Sequence, residues 1–336
     1  MRGSRKMESQ RADQTTARAT ISGPKQPGPW RTFAKNRMGT SGLFMLVAVC
    51  AVAVLAPWIA PYDPYAVLVE VTTGDFLAPP SPQHILGQDD AGRDVLSSVA
   101  YGARISLAVG LSASLIAISV GGSLGMISGY FGGRLDMIIM RITDAILVVP
   151  RLPLMLVIIA IAGRGIINII LVIGFLSWTY MARVVRSQVL TIKERQYVLR
   201  AQALGAGHIL IMVRHILPQV LPLMSAQATL NISYAILSEA TLSFLGLGDP
   251  TLVSWGSMLN RAYMRGAVTR GAWWFLIPPG LALAWVTLGL TFFGNGIQEI
   301  VNPRLRSHHL FDERRIAAIR RIIGKPSPTT DEPSSE

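Results

Sequence analysis

Five uninterrupted runs of uncharged, apolar residues limit what this chain can become: Gly42 to Ala60, Ile105 to Gly133, Gly165 to Ala182, Ile216 to Ser238 and Gly271 to Gln298. Each approaches or exceeds the roughly 18 to 20 residues that a helix needs to cross a bilayer. A sixth run, Ala145 to Ala162, is interrupted by Pro150 and Arg151. Half of the residues are hydrophobic and only 15% are charged, and the apolar ones fall in blocks rather than at amphipathic spacing. The expected fold is an all-α polytopic membrane protein with six transmembrane helices.

The net charge of +12 does not lie on one face, as a nucleic-acid binder would need, but partitions between alternate loops. With the N-terminus placed inside, the inner segments hold 24 Lys and Arg residues and the outer ones 6, with Arg151 left out as intramembrane. That bias predicts cytoplasmic N- and C-termini and a multi-pass protein of a prokaryotic plasma (inner) membrane. Surplus charge in the tails is expected to meet anionic lipid headgroups.

Along the chain the expected order is a basic, largely disordered tail (1–41), a first transmembrane helix (42–60) and an extracytoplasmic segment (61–100). A five-helix core (101–302) with a cytoplasmic loop (183–218) and a C-terminal tail (303–336) complete it. The first run is read as a retained span, because its Ala-x-Ala pattern, Ala51 to Ala53, lies mid-run. Between the third and fourth spans only Gly163, Arg164 and Gly165 interrupt the apolar sequence, which predicts a tight antiparallel hairpin. Cys50 has no partner in the chain, so a disulfide within it is excluded.

From Lys193 to Pro218 a basic loop separates two spans. Ala201, Ala203 and Leu204 precede Gly205, and a second apolar run leads to Arg214, His215 and Pro218, which reads as helix, glycine break, helix and a proline at the entrance of the next span. Gly205 suits either a close backbone approach or a turn with positive φ. Such a bent pair is a knob fitted to a partner's cleft or a basic hairpin lying on the membrane surface, and composition leaves both open.

Here the sequence resembles a known family. The pattern A-x-A-L-G-A followed by R-H-I-L-P is similar to the cytoplasmic loop of C-type permease subunits of dipeptide and oligopeptide ABC importers. Stretches beginning at His84, Gly129, Ala235, Ser254 and Phe292 look like the same family, so the resemblance spans roughly Phe33 to Arg306. It implies a type I ABC importer permease fold in which Ala201, Gly205 and Pro218 hold signature positions and Ala201 to Met212 forms the coupling helix. It also implies a second homologous permease, two cytoplasmic ATPase subunits that bind ATP and Mg, and an extracytoplasmic substrate-binding protein. Leu199 and Arg200 stand where that loop ordinarily has Glu and Ala, Gln88 replaces a usual Thr, and Asn295 replaces a usual Asp. Peptides are the cargo implied first; nickel chelates, opines and oligosaccharides are carried by similar permeases.

The chain offers no engine of its own. Its Gly-Lys pair, Gly324 and Lys325, runs into Pro326 without the glycine and hydroxyl residue of a P-loop, so neither enzymatic activity nor a cofactor is expected in this polypeptide. An intramembrane enzyme would show convergent catalytic groups, and a self-contained carrier would show related halves with an ion site; neither pattern is found.

Polar residues in the spans are candidates for a path. Gln227, Asn231, Tyr234 and Ser238 recur at helical spacing and share one face, either lining a pore or bonding between helices. Glu239 is placed near the outer interface, with a structural or gating role. Arg151 is expected to snorkel to the cytoplasmic interface. Asp94 is read as a helix cap, against a calcium loop of Asp89, Asp90 and Asp94, and Trp255, Trp273 and Trp274 as outer-interface markers.

Overall fold

The computed structural model describes residues 33–34, 36–65 and 77–301. The readings of disorder before residue 33 and of the C-terminal tail lie outside them. Among the described residues there is no strand, only an isolated bridge between Gln88 and Asp94, and the rest is helix and turn. This is the economical solution in lipid, where each backbone N–H and C=O must be satisfied within its own segment.

α1 (Arg37–Ile59) begins more than a turn before the apolar run, because the Asn36 side chain accepts the Gly39 N–H at 3.0 Å and caps it. α2 (Val95–Phe131) likewise starts well ahead of Ile105. Asp94 accepts from the Ser97 amide at 2.8 Å and from its hydroxyl at 2.7 Å, so the cap read from the sequence is present. Arg104, which ended the charge-free run, sits on the exposed face with its guanidinium 5.7 Å from the Tyr101 ring. A charge on the outer side of a helix does not end it.

After Gly132 come α3 (Gly133–Val148) and α4 (Arg151–Ala162), bent by 91°. The turn at Gly163 leads into α5 (Ile166–Lys193). α6 (Gln196–Ala203) and a short α7 (His208–Ile211) follow, the latter passing through a π-helical turn at Met212–Ile216 into α8 (Leu217–Phe244). α9 (Trp255–Met264) and α10 (Trp273–Val301) close the order. Five helical stretches are long and apolar enough to cross a membrane, and the bent α3–α4 pair meets that measure as a unit.

Helix directions show that the bent pair is a sixth traverse. α2 and α5 run parallel: Gly121 lies on Trp178, Gly125 on Ala182 and Gly129 on Val189. α5 therefore starts at the end where α2 started, and α3 with α4 must carry the chain back. α8 is antiparallel to α2, with the Ser114 hydroxyl donating to the Ala228 carbonyl at 3.2 Å and Gly122 beside Met224. α10 is antiparallel to α8, and α1 to α10, where Asn36 donates to Glu299. The start of α1 and the close of α10 thus share one end of the bundle with Gly205, and Trp255 marks the other.

Lipid removes the hydrophobic drive between helices, so close fit and small residues must supply cohesion. The parallel α2–α5 contact is built this way. Val189, Ile192, Val198, Ile211 and Ile216 form a buried cluster at the Gly205 end, and Val95, Trp255, Met258 and Phe275 one at the opposite end. Outward, Phe44, Val47, Val54 and Trp58 of α1 are exposed and apolar, as a lipid-facing surface requires. The hairpin expected around Gly163 is formed by α4 and α5, where Met155 and Ile159 bury against Ile169 and Ile173, although α4 is only 12 residues long.

Candidate functional site

The polar face of α8 opens onto a cavity of about 250 Å³, whose walls include Gln227, Asn231 and Tyr234 of α8 and Ser177 and Tyr180 of α5. Arg151 lines it too. Its guanidinium lies 5.3 Å from the Tyr234 ring centroid, within range of a cation–π attraction. The expectation that Arg151 snorkels to the Gly205-end interface is therefore overturned. The 91° break at Val149 and Pro150 turns α4 against α5 and carries Arg151 to the level of Ser177 and Met181, roughly halfway along α5.

The stripe expected on α8 divides after Tyr234. The Ser238 hydroxyl donates to the Tyr234 carbonyl at 2.8 Å, a bond within its own helix, and Ser238 is not among the residues lining the cavity. Glu239 points elsewhere, being only 2% exposed between α8 and α2. It accepts from the Ser243 hydroxyl at 2.7 Å and the Ser106 hydroxyl at 3.4 Å, and Ser254, the cap of α9, lines the same pocket. These contacts tie α2, α8 and α9 together.

At the opposite end the loop is a projecting knob on a rigid base. α6 ends in a Schellman arrangement: the Gly205 amide donates to the Gln202 carbonyl at 2.9 Å, and the Ala206 amide to the Ala201 carbonyl at 3.0 Å. Gly205 adopts φ +79°, so of the two roles open to it the turn is realised. Ala201 to Met212 is consequently not one helix, as the resemblance implied, but the close of α6, a turn and α7. Val198 is buried beneath, and the Tyr130 hydroxyl meets the His208 imidazole Nδ1 at 2.9 Å. Ala203 is exposed beside Leu204, which is 88% exposed; Ile209 is 75% exposed, and Leu210 and Val213 are also outward. Arg214 is exposed, His215 packs near Tyr197, and Pro218 lies in the first turn of α8.

Two groups of ionic contacts were not visible in the sequence. Near the knob, Asp136 of α3 receives a two-pronged bond from Arg186 of α5, at 2.5 and 2.7 Å, and the Ser128 hydroxyl at 2.5 Å, while Arg183 reaches Asp144 at 2.6 Å. Bidentate pairing of this kind fixes orientation as well as distance. At the Trp255 end, buried Asp89 accepts the Ala91 and Arg93 amides at 2.8 and 2.9 Å and stands 3.2 Å from Arg93 and 4.0 Å from Arg261 of α9. Asp90 pairs with Arg265 at 2.9 Å. Burial pushes the Asp89 carboxyl above its usual range against the pull of Arg93, and burial lowers Arg261. Replacing Asp89 with Asn preserves an accepting oxygen but strands two arginines, and is expected to cost about 3 kcal/mol. Thermal unfolding in detergent measures it, and an unchanged Tm would mean that this ionic cluster holds nothing together.

Trp255 belongs to the same end but not to a membrane interface. It is 1% exposed, and its indole N–H donates to the Val99 carbonyl at 2.9 Å, so the interface reading of this tryptophan is corrected. Trp273 remains half-exposed.

Residues 121–307 match the family model described as "Binding-protein-dependent transport system inner membrane component", and residues 29–89 match "N-terminal TM domain of oligopeptide transport permease C". The chain is 41% identical over 304 residues to the dipeptide transport system permease protein DppC of Escherichia coli (strain K12), covering 87% of this chain and 99% of that one. It is 37% identical over 285 residues to the di/tripeptide transport system permease protein DppC of Pseudomonas aeruginosa (strain UCBPP-PA14), covering 83% and 92%. With the glutathione transport system permease protein GsiD of Shigella flexneri serotype 5b (strain 8401) it shares 38% over 280 residues, covering 82% and 90%. A multi-pass helical bundle, a polar cavity between its helices and matches of this extent make the chain a member of the family of inner membrane components of binding-protein-dependent transport systems.

Proposed function

We propose that this permease forms one half of a peptide-conducting path in an ATP-driven importer. A second, homologous permease completes the path, two ATPase subunits dock from the cytoplasm, and a binding protein delivers solute from outside. The Gly205 end faces the cytoplasm, which the positive-inside bias of the loops at that end supports. Peptides are the cargo favoured by the names of the relatives. Nucleotide bound by the ATPases favours one of two arrangements of the helices, and the knob transmits that preference.

One observation carries the reading: Leu204 and Ile209 stand bare on either side of Gly205, at the tip of an element whose base is buried and bonded. Exposed apolar side chains on an otherwise fixed and basic projection suit a protein groove rimmed by polar groups. Cys50 is the sole cysteine, so a Cys50→Ser background makes site-directed crosslinking clean. In that background Leu204→Cys is expected to give an adduct with an ATPase subunit when a short bifunctional crosslinker is added to membranes holding the whole assembly. An adduct confined to lipid, or none in an assembly that still transports, would rule out docking through this tip.

A further inference from the structure

We infer that Arg151 is the centre of a carboxylate-binding subsite in the path, one that receives the free C-terminal carboxylate of a passing peptide. This rests on the peptide-permease reading and adds to it a chemical group and the residues that meet it. Among the described residues Arg151 forms no ion pair, whereas Arg183 and Arg186 of α5 both have aspartate partners. A cation at membrane level without a counter-charge is costly to keep, and such residues mark solute paths.

The other residues lining the cavity are uncharged, so no acidic side chain among them competes for the cation. The Asn231 amide nitrogen and the Ser177 hydroxyl are buried without a hydrogen-bond partner, and both residues line the cavity. Arg151 is also the first residue of α4, whose N-terminus has no side-chain cap. The N–H groups of Arg151 and Leu152, Pro153 having none, and the positive end of the helix dipole thus lie at the break between α3 and α4. Interrupted spanning helices present their N-termini to anionic solutes for this reason. The Tyr234 ring, 5.3 Å from the guanidinium carbon, takes up none of its N–H donors, which remain for a planar, two-oxygen acceptor, the shape a carboxylate offers. A cavity of about 250 Å³ has room for a peptide terminus.

Equilibrium dialysis of radiolabelled trialanine and of its C-terminal amide tests the subsite, using the purified assembly without its binding protein so that only the path is probed. The intact assembly is expected to bind the free acid about tenfold or more tightly than the amide. Arg151→Gln should bring the two within about twofold by weakening the acid alone, and Arg151→Lys, which keeps the charge but not the fork, should leave a partial preference. If the Gln variant does not assemble on size exclusion, the Lys variant must still narrow the preference. Equal binding of acid and amide by the intact assembly, a preference that survives Arg151→Gln, or no binding of either form would each overturn the subsite. Trialanine uptake by vesicles holding the complete assembly and its binding protein tests the broader reading separately: uptake without an Arg151-dependent preference removes the subsite alone, and failure to take up peptides removes the peptide reading.

Discussion

Gly125→Leu is expected to prevent the bundle from assembling. A Cβ at this position would lie 2.4 Å from the Ala182 carbonyl oxygen and 2.9 Å from the Val185 Cβ, so backbone rather than a pliant side chain stands in its way. Gly121 and Gly129, one helical turn to either side, are equally confined by the carbonyls of Trp178 and Arg186 at 2.5 and 2.9 Å. These three residues form one ridge of α2 along which α5 lies flush, in the small-xxx-small manner of membrane helices. Overpacking a yielding core costs about 1 to 3 kcal/mol, and a contact of backbone on backbone should exceed the upper figure. Displacing α5 would also pull Arg186 away from Asp136 and loosen the base of the knob. Gly280→Leu, at a position with no atom within 4 Å, is the matched control and should be tolerated. Yield of monodisperse protein and thermal unfolding decide the matter; a Gly125→Leu protein as stable as the control would show that α2 and α5 are not in this contact.

Hydropathy and charge made the helical class and the spans legible, because lipid imposes both on sequence directly. Boundaries were less legible. Arg104 bounded one apolar run and Arg37 lay outside another, yet each is accommodated on an exposed helix face, and the caps at Asn36 and Asp94 decide where α1 and α2 begin. Pro150 and Arg151 announced a break, but hydropathy carries no sign for the direction of a bend, and the 91° turn is what moves Arg151 from an interface to the cavity. Ser238 fits the helical period of Gln227, Asn231 and Tyr234; its hydroxyl is consumed by the backbone four residues back, which periodicity does not register. Asp89 with Arg261 and Asp136 with Arg186 are pairs 172 and 50 residues apart in sequence, brought together only by helix packing. Trp255 illustrates a limit of composition: a tryptophan near the end of a span suits a membrane interface and a buried core alike, and the carbonyl of Val99 selects the core.

Gly205→Trp is expected to abolish solute-stimulated ATP hydrolysis by the assembly and to detach the ATPase subunits, with the permease still folded. At φ +79° a side chain strains the backbone by about 1 to 3 kcal/mol, a local cost at an exposed tip. No atom lies within 4 Å of the position a Cβ would take, so the indole displaces nothing in this chain. It would instead occupy the space beside Leu204 and Ile209, where the proposed ATPase groove would close. Gly205→Ala separates the two effects, because alanine brings nearly the same backbone strain with almost no bulk. Coupling that survives in the alanine variant and disappears in the tryptophan variant assigns the loss to docking; equal loss in both assigns it to the turn. Thermal unfolding close to wild type in both variants distinguishes either result from collapse of the bundle. Wild-type uptake by the tryptophan variant would mean that force enters this permease elsewhere, and the reading of the knob as the point of coupling would fail.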